Sequence, residues 1–339
     1  MNILIIQTAF IGDVILSTPL IRETRELFPN ANIDVLVIPQ TAALLQNNPH
    51  IRHIFTFDKR QRSQKIKAFL QTLKKIRTHN YDVALIPHKS WTTAQLAFLG
   101  GIRRRVGFSE RSASVLYTDR VFFDKRKRQI ERYLDLLSVF SQRSSDIQTE
   151  LFFHKQQIQQ AMDIKQRYAT MPKIAVAPGS VWPTKRWPEE KFVDLLRRLD
   201  NSNTAFIFMG SPAERELCQQ IIDKSDLSMA ENVAGKTGLL EAAAIIQACD
   251  LLLCNDSGTM HMANAVKTDV VAFFGPTVER YGFAPFRSED KVFQVDLSCR
   301  PCSLHGSTEC PLGHFKCMLD IDVESVARYV QNHSSTNSG

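Results

Sequence analysis

Short apolar runs alternate with amphipathic stretches along the first half of the chain. Runs rich in Ile, Leu and Val predict strands at 3–6, 33–38, 54–57 and 83–87. Apolar residues at helical spacing predict helices over 18–28 and 61–79. The second of these helices is expected to turn five apolar residues inward: Ile66, Phe69, Leu70, Leu73 and Ile76. Strand–helix alternation of this kind is typical of βαβ units with a parallel sheet.

The same alternation restarts in the second half. Strands are predicted at 173–177, 205–209, 251–254 and 270–274, with helices over 189–199, 212–224 and 239–248. A chain of 339 residues is too long for one ordinary core. We therefore expect two α/β domains, 1–160 and 173–320, joined near 155–172, with a C-terminal helix and a frayed tail at 321–339. Each is predicted to be a Rossmann-like, doubly wound parallel sheet, and the cleft between the two sheets is the expected site.

The segment Asn255–His261 carries the strongest chemical signal. It follows the apolar run 251–254, so a buried strand ends in a polar turn and a helix begins at Gly258 and Thr259. Unpaired N–H groups at a helix start suit a phosphate. Asp256 can accept hydrogen bonds from hydroxyls, or it can simply cap the helix. His261 is either part of the site or a core histidine bonded to backbone.

Three further loops are expected to lie near this one. Ser180, Lys185 and Arg186 follow the strand at 173–177, and their two cations suit a diphosphate. Glu214 either completes a capping box with Ser211 or accepts from the hydroxyls of a ribose. The glycine turn before Thr237 is suited to close approach to a flat base.

Asp13 lies where the first strand gives way to a helix. The dinucleotide-binding fingerprint needs three glycines at this point, and only Gly12 is present. Asp13 has two interpretations from spacing alone: a helix cap, or a general base.

Charge and composition narrow the class of protein. The net charge of +7 favours an anionic partner. Two segments, 59–78 and 103–132, are rich in Lys and Arg, and Arg103–Arg105 is expected to be a loop. These segments lack interleaved aromatic residues and any nucleic-acid motif, so nucleic acid is not the expected partner. The first residues lack signal-peptide character and no run is long enough to span a membrane, which favours a cytoplasmic protein.

Four cysteines cluster near the C-terminal end: Cys299, Cys302, Cys310 and Cys317, with His305 and His314 nearby. Four thiolates could hold zinc, but the spacing of the second pair does not fit a usual zinc ribbon. Packing or redox sensitivity explains the cluster equally well. No metal is assigned.

These motifs together resemble the ADP-heptose:lipopolysaccharide heptosyltransferases, glycosyltransferase family 9. The resemblance rests on three segments in the family's order: Ile11–Pro19, Pro178–Pro188 and Asn255–His261. It spans nearly the whole chain and is closest to heptosyltransferase II.

The resemblance implies a GT-B fold and an inverting transfer that needs no metal or other cofactor. It implies ADP-heptose as donor, and the inner-core heptose attached to Kdo2-lipid A as acceptor. Peripheral contact with the cytoplasmic face of the inner membrane follows from such an acceptor. Asp13 would be the base and Lys185 would stabilise the departing diphosphate, so these two are the expected catalytic residues.

The resemblance and the chemistry of the loops together give two sets of binding residues. The expected donor-binding residues are Gly12, Ser180, Lys185, Arg186, Glu214, Thr237, Asp256, Ser257, Gly258, Thr259 and His261. The charge pattern adds the expected acceptor-binding residues Arg60, Arg62, Lys65, Arg104, Arg105 and Arg111.

Two alternatives stay open at this point. One is a related transferase with a different acceptor specificity, of the heptosyltransferase I or III kind, or with another nucleotide sugar. The other is a non-catalytic module that binds nucleotide sugars on the same fold, since fold does not fix function.

Overall fold

The computed structural model describes residues 1–58, 65–110, 112–141, 146–200 and 203–336. The chain divides into two compact units, which we call unit 1 (Met1–Phe152) and unit 2 (Phe153–Gly339). None of the described helices combines the length and the apolar character needed to cross a membrane.

Unit 1 is built on a six-stranded, wholly parallel sheet. Its strands, in chain order, are β1 (Asn2–Gln7), β2 (Asn32–Val37), β3 (His53–Thr56), β4 (Val83–Ile86), β5 (Arg104–Phe108) and β6 (Asp119–Val121). Its helices are α1 (Ile11–Leu16), α2 (Thr18–Leu27), α3 (Lys65–His79), α4 (Trp91–Leu99) and α5 (Gln129–Asp135).

Unit 2 repeats this plan with a second parallel sheet. Its strands are β7 (Lys173–Ala177), β8 (Ala205–Phe208), β9 (Ala230–Asn232), β10 (Leu251–Asn255), β11 (Asp269–Phe274) and β12 (Lys291–Gln294). Its helices are α6 (Lys155–Arg167), α7 (Glu189–Leu199), α8 (Arg215–Ser225), α9 (Leu239–Ala248), α10 (Gly258–Val266), α11 (Lys316–Leu319) and α12 (Val323–Thr336).

Both sheets have the same doubly wound strand order. In unit 1 the order is β3-β2-β1-β4-β5-β6, and in unit 2 it is β12-β11-β10-β7-β8-β9. The order reverses at β1/β4 in the first sheet and at β7/β10 in the second. Loops diverge at such a point, which leaves a crevice at the carboxyl ends of the two strands. The predicted α/β class with two doubly wound parallel sheets is therefore confirmed.

The segment expected to join the domains is mostly helical. Helix α6 occupies 155–167 and packs against α9, both within unit 2. The C-terminal helix α12 packs against α7 of the same unit.

The two central strands of each sheet are almost entirely buried because their apolar runs are covered by helices on both faces. In unit 2 the core includes an aromatic group beneath the β7/β10 crevice. Trp187 stacks on Phe273 with ring centroids 4.1 Å apart, and Phe192 meets both edge-on.

Two details of the expected pattern are wrong. Arg104 and Arg105 begin strand β5 instead of lying in a loop, since the apolar half of that strand, Val106–Phe108, is buried against β4. Ile66 and Leu70 are 78% and 57% exposed rather than inward. The buried stripe of α3 is narrower than expected and is centred on Leu73 and Ile76.

Candidate active site

An ion pair occupies the β7/β10 crevice of unit 2. The Lys185 Nζ lies 2.6 Å from Asp256 Oδ2, and the two side chains are only 13% and 9% exposed. The same carboxylate oxygen accepts a 2.6 Å hydrogen bond from the Thr277 hydroxyl. Lys185 comes from the loop after β7 and Asp256 from the loop after β10, so the structure brings together two residues that the sequence predicted to meet.

Asn255 ties these two loops to each other. Its Oδ1 accepts from the backbone N–H of Trp187 at 2.9 Å, and its Nδ2 donates to the carbonyl of Pro178 at 2.8 Å. The side chain is fully buried. A buried amide that is satisfied at both ends fixes the separation of the segments it joins. Asn255 therefore sets where Lys185 stands relative to Asp256.

Helix α10 starts at the same crevice, as predicted. Its N-cap, Ser257, makes no side-chain capping bond to the helix, and its hydroxyl instead pairs with that of Thr259 at 2.8 Å. The N–H groups of the first turn therefore lack both an intrahelical partner and a side-chain cap. Together with the helix dipole they make this end of α10 suited to an anion.

His261 lies one turn into α10 and is buried. Burial lowers the pKa of its imidazole to about 4, with nearby Lys185 adding to the effect and Asp256 opposing it. His261 is consequently neutral near pH 7 and brings no positive charge to the site. Its Nδ1 is buried and has no hydrogen-bond partner among the described residues.

Glu214 fulfils the capping-box prediction and also lies at the crevice. Its Oε2 accepts from the backbone N–H of Ser211 at 2.7 Å. Its other oxygen lies against Gly179: a Cβ at that glycine would be 2.0 Å from Glu214 Oε1. The end of the Glu214 side chain thus packs on Gly179, and the capping bond through Oε2 leaves the ribose interpretation of Glu214 open.

The remaining donor-site predictions in unit 2 lie in loops at the same sheet edge. Arg186 donates through Nε to the carbonyl of buried Ser180 at 2.8 Å, which folds the loop after β7. Thr237 follows Gly235, which has a φ of +72° and lies close to Pro212. The loop after β9 therefore packs against the loop after β8. Gly12 is the exception, because it lies in α1 of unit 1.

The cysteine-rich segment supports the Lys185 loop from outside. Thr184 and Ser307 exchange several hydrogen bonds, including Thr184 Oγ1 to the Ser307 carbonyl at 2.8 Å and the Ser307 N–H to Thr184 Oγ1 at 2.8 Å. Gly306 packs on the same loop so closely that a Cβ at this glycine would lie 3.2 Å from Lys185 Cγ. The segment therefore has a packing role.

All seven cysteines are free thiols. In the part of the chain that the structure describes, no three His, Cys, Asp or Glu side chains are grouped to hold a metal ion. Hydrogen bonds from backbone N–H groups, that of Phe315 foremost, lower the pKa of the Cys310 thiol, whereas burial raises the pKa of Cys317 to about 11.

Asp13 lies in the first turn of α1, at the carboxyl end of β1 and hence at the β1/β4 crevice of unit 1. It is half-buried. Its Oδ1 accepts a 2.8 Å hydrogen bond from the hydroxyl of buried Tyr133. Across the crevice, Thr8 Oγ1 and His88 Nδ1 lie 2.9 Å apart and link the ends of β1 and β4.

The predicted acceptor-binding residues have mixed outcomes. Arg104 pairs with Asp119 at 2.9 Å, and Arg105 donates to the carbonyls of Ile102 and Leu116, so both guanidinium groups hold unit 1 together. These contacts favour a structural role for the two arginines. Arg60, Arg62 and Arg111 lie outside the described residues, as does the side chain of Lys65. Contact between this set and an acceptor stays a prediction.

Several residues of the site escaped the sequence interpretation. Thr277, Tyr133 and Ser307 stand far along the chain from the groups they contact, and nothing in the local spacing marks them. Asn255 had a signal, because an amide at the buried end of an apolar strand must find partners.

Comparison with known proteins identifies the family of the chain. The model for glycosyltransferase family 9 (heptosyltransferase) matches residues 69–312, well over half of the chain. The chain belongs to this family. It is accordingly a glycosyltransferase, and the resemblance noted from the three motifs is confirmed.

Individual family members are similar over most of their length. Lipooligosaccharide heptosyltransferase 2 of Haemophilus influenzae is 29% identical over 297 residues, which cover 83% of this chain and 85% of that protein. The enzyme of the same name from Campylobacter jejuni is 27% identical over 344 residues, covering 99% and 100%. The solved structure of Escherichia coli ADP-heptose LPS heptosyltransferase II matches with a TM-score of 0.80 at 22% identity and covers both chains fully.

Proposed function

We propose that this glycosyltransferase moves L-glycero-D-manno-heptose from ADP-heptose to the inner-core heptose of lipopolysaccharide, with inversion at the anomeric carbon. The observation that carries the proposal is the arrangement at the β7/β10 crevice. A nearly buried lysine, a carboxylate and an uncapped helix start converge there, in a chain whose relatives are named heptosyltransferase 2.

The donor diphosphate is the group that suits the start of α10. The N–H groups of Gly258 and Thr259 would donate to its oxygens, and the hydroxyls of Ser257 and Thr259 lie beside them. Lys185 would exchange part of its contact with Asp256 for the phosphate. Negative charge grows on ADP as the glycosidic bond breaks, so fixed N–H dipoles and an ammonium group stabilise the transition state more than the ground state.

The sugar and ribose have polar partners at the same edge. Asp256 would accept from heptose hydroxyls, with Thr277 and Lys185 fixing its orientation. Glu214 would accept from the ribose, because its Oε1 lies against Gly179 at the crevice while Oε2 is used by the cap. Thr237 belongs to the loop that would meet the base.

Unit 1 would supply the base. Asp13 would remove the proton from the acceptor hydroxyl as that oxygen attacks the anomeric carbon, and ADP would leave from the opposite face. A positioned base of this type typically contributes about 10²–10⁴-fold to the rate. An inverting, single-displacement transfer needs one base on the acceptor side, and Asp13 would fill that role.

We expect the purified protein to release ADP from ADP-heptose when an acceptor ending in the first inner-core heptose is present. The test is ADP release across a panel of donors, namely ADP-heptose, ADP-glucose and UDP-glucose, each with and without EDTA. Selective turnover of ADP-heptose that resists EDTA supports the proposal. Faster turnover of another donor would show a different transferase, and donor binding without turnover would support a non-catalytic module.

Acceptor identity is tested separately with acceptors that differ in length. Kdo2-lipid A bearing no heptose, one heptose or two heptoses distinguishes transfer of heptosyltransferase I, II or III type. The proposal expects turnover with the one-heptose acceptor. Preference for either of the other two would keep the reaction class and change the specificity.

A lipid-linked acceptor also implies work at a membrane surface, and we extend the proposal to peripheral contact with the cytoplasmic face of the inner membrane. Helix α3 supports this part. Its exposed Ile66 and Leu70 are flanked by the exposed cations Lys67, Lys74 and Lys75, and no acidic residue occurs between Asp58 and Asp82. Apolar side chains beside lysines suit an anionic lipid surface.

Sedimentation with phosphatidylglycerol vesicles tests this surface. The double variant Ile66→Ser/Leu70→Ser should bind several-fold more weakly than the wild type, while turnover of a short, lipid-free acceptor stays unchanged. Ile158→Ser/Met162→Ser is the matched control, because these two residues are also exposed and four positions apart, on α6 of unit 2. Equal loss of vesicle binding in both double variants would show that α3 is not the membrane-binding surface.

A further inference from the structure

Asp13 accepts a hydrogen bond from a fully buried tyrosine. The Tyr133 hydroxyl donates to Asp13 Oδ1 at 2.8 Å, and Tyr133 is only 2% exposed. The two residues come from different elements, α1 and α5, that stand 120 positions apart in sequence. The contact therefore exists only in the folded unit. A phenylalanine would fill the same space in this core, but the tyrosine adds a hydroxyl that donates to the Asp13 carboxylate.

The direction of this hydrogen bond is fixed by the groups behind it. Arg132 Nη1 donates to Gln129 Oε1 at 2.9 Å, and both side chains are buried. A guanidinium has no acceptor, so the Gln129 oxygen must face it and the Gln129 amide nitrogen is left to donate. That amide hydrogen-bonds to Tyr133, as does the side chain of Gln7.

Tyr133 consequently accepts from amide donors and has one proton to give, which it donates to Asp13. Burial and the neighbouring Asp13 charge raise the pKa of Tyr133 well above its ordinary value. The phenol therefore keeps its proton at neutral pH. The series Arg132, Gln129, Tyr133, Asp13 is thus a one-way sequence of donors that ends on the carboxylate.

We propose that Tyr133 is a positioning residue for the reaction: its hydroxyl fixes the orientation of Asp13 and favours the ionised, proton-accepting form, with Gln129 setting the direction of the hydrogen bond. The inference rests on the proposed role of Asp13 as the base. It assigns no proton transfer to Tyr133 itself, because a donor in this series acts through the carboxylate and touches no substrate.

A carboxylate that loses a hydrogen-bond donor is protonated more easily, and this change is what the experiment measures. Hydrogen bonds to a carboxylate favour its charged form. In Tyr133→Phe the acidic limb of the kcat/KM profile should therefore move to higher pH. At the pH optimum kcat should fall about tenfold, since the orientation of Asp13 is also loosened, while the affinity for ADP stays at the wild-type value.

Gln129→Met gives an independent measurement in case Tyr133→Phe folds poorly. It keeps the shape of the side chain and removes the amide donor, so Tyr133 remains but its orientation is no longer imposed. The acidic limb should shift in the same direction by a smaller amount. Tyr117→Phe is the matched control, because Tyr117 is a buried tyrosine of unit 1 that packs on Gly107, and it should leave the pH profile unchanged.

The outcomes separate this inference from the proposed function. If Asp13→Asn is inactive and both Tyr133→Phe and Gln129→Met keep the wild-type pH profile, the positioning role is wrong and the base assignment stands. If Asp13→Asn turns over like the wild type, the base assignment itself fails. An upward shift of the acidic limb in Tyr133→Phe, absent in Tyr117→Phe, supports the inference, since a purely structural defect lowers kcat without moving the limb.

Discussion

Replacing Asp13 by Asn lowers kcat by about 10²–10⁴-fold if this carboxylate is the base. Asn has nearly the same shape and keeps an oxygen that can accept the hydrogen bond from Tyr133, so the structure around α1 is expected to persist. What is lost is the capacity to take a proton from the acceptor hydroxyl. ADP binding should be unaffected, because the proposed diphosphate site lies entirely in unit 2. Steady-state ADP release and calorimetric titration with ADP measure the two effects separately.

Glu26→Gln is a suitable control for this experiment. Glu26 is an exposed acid on α2 of the same unit, and its amide form should have wild-type kcat. A variant Asp13→Asn with turnover close to that of Glu26→Gln would exclude Asp13 as the base. A loss of ADP affinity together with kcat would instead show that the substitution disturbs more than the proton transfer.

Replacing Lys185 by Met should weaken ADP binding by roughly 10–100-fold, the equivalent of one charge-assisted hydrogen bond. It should also lower kcat by about 10²–10³-fold, the range seen when one donor to a developing anion is removed. The second effect arises because charge on the leaving diphosphate is greatest in the transition state. Calorimetry with ADP and single-turnover kinetics with ADP-heptose measure the binding and chemical effects.

The same substitution has a cost in stability that must be separated from function. Asp256 is 9% exposed, and without its ammonium partner it becomes an unpaired charge in a nearly buried position. Breaking such a pair costs on the order of 3 kcal/mol. The double variant Lys185→Met/Asp256→Asn removes the orphaned charge, so its free energy of unfolding should recover while its turnover stays low. Unchanged ADP affinity in a folded Lys185→Met protein would contradict the phosphate role.

Most of the fold could be predicted because the central strands are continuous apolar runs between amphipathic helices. The runs that became β1, β2, β4, β7, β10 and β11 are buried on both faces, which is the pattern easiest to recognise. Strand β5, which lies between β4 and β6, was missed because it opens with Arg104 and Arg105, which hydrogen-bond to other parts of unit 1. Helix α3 was placed correctly, yet Ile66 and Leu70 proved exposed, since an apolar residue near the edge of a stripe need not be covered.

The candidate site could be predicted only as far as its loops follow strands. Parallel strands place their carboxyl ends at one edge, so Lys185 and Asp256 were expected to be neighbours, and they form an ion pair. The groups that hold them, Asn255 and Thr277, act through contacts that depend on how the loops close. Tyr133 reaches Asp13 across 120 positions, and no local pattern signals a contact of that range.

The most direct measurement is a crystal structure of the protein with ADP bound. We expect the terminal phosphate at the start of α10, within hydrogen-bond distance of the N–H groups of Gly258 and Thr259 and of Lys185 Nζ. A diphosphate bound elsewhere, with Lys185 still paired only to Asp256, would contradict the assignment of unit 2 as the donor site and the mechanism built on it.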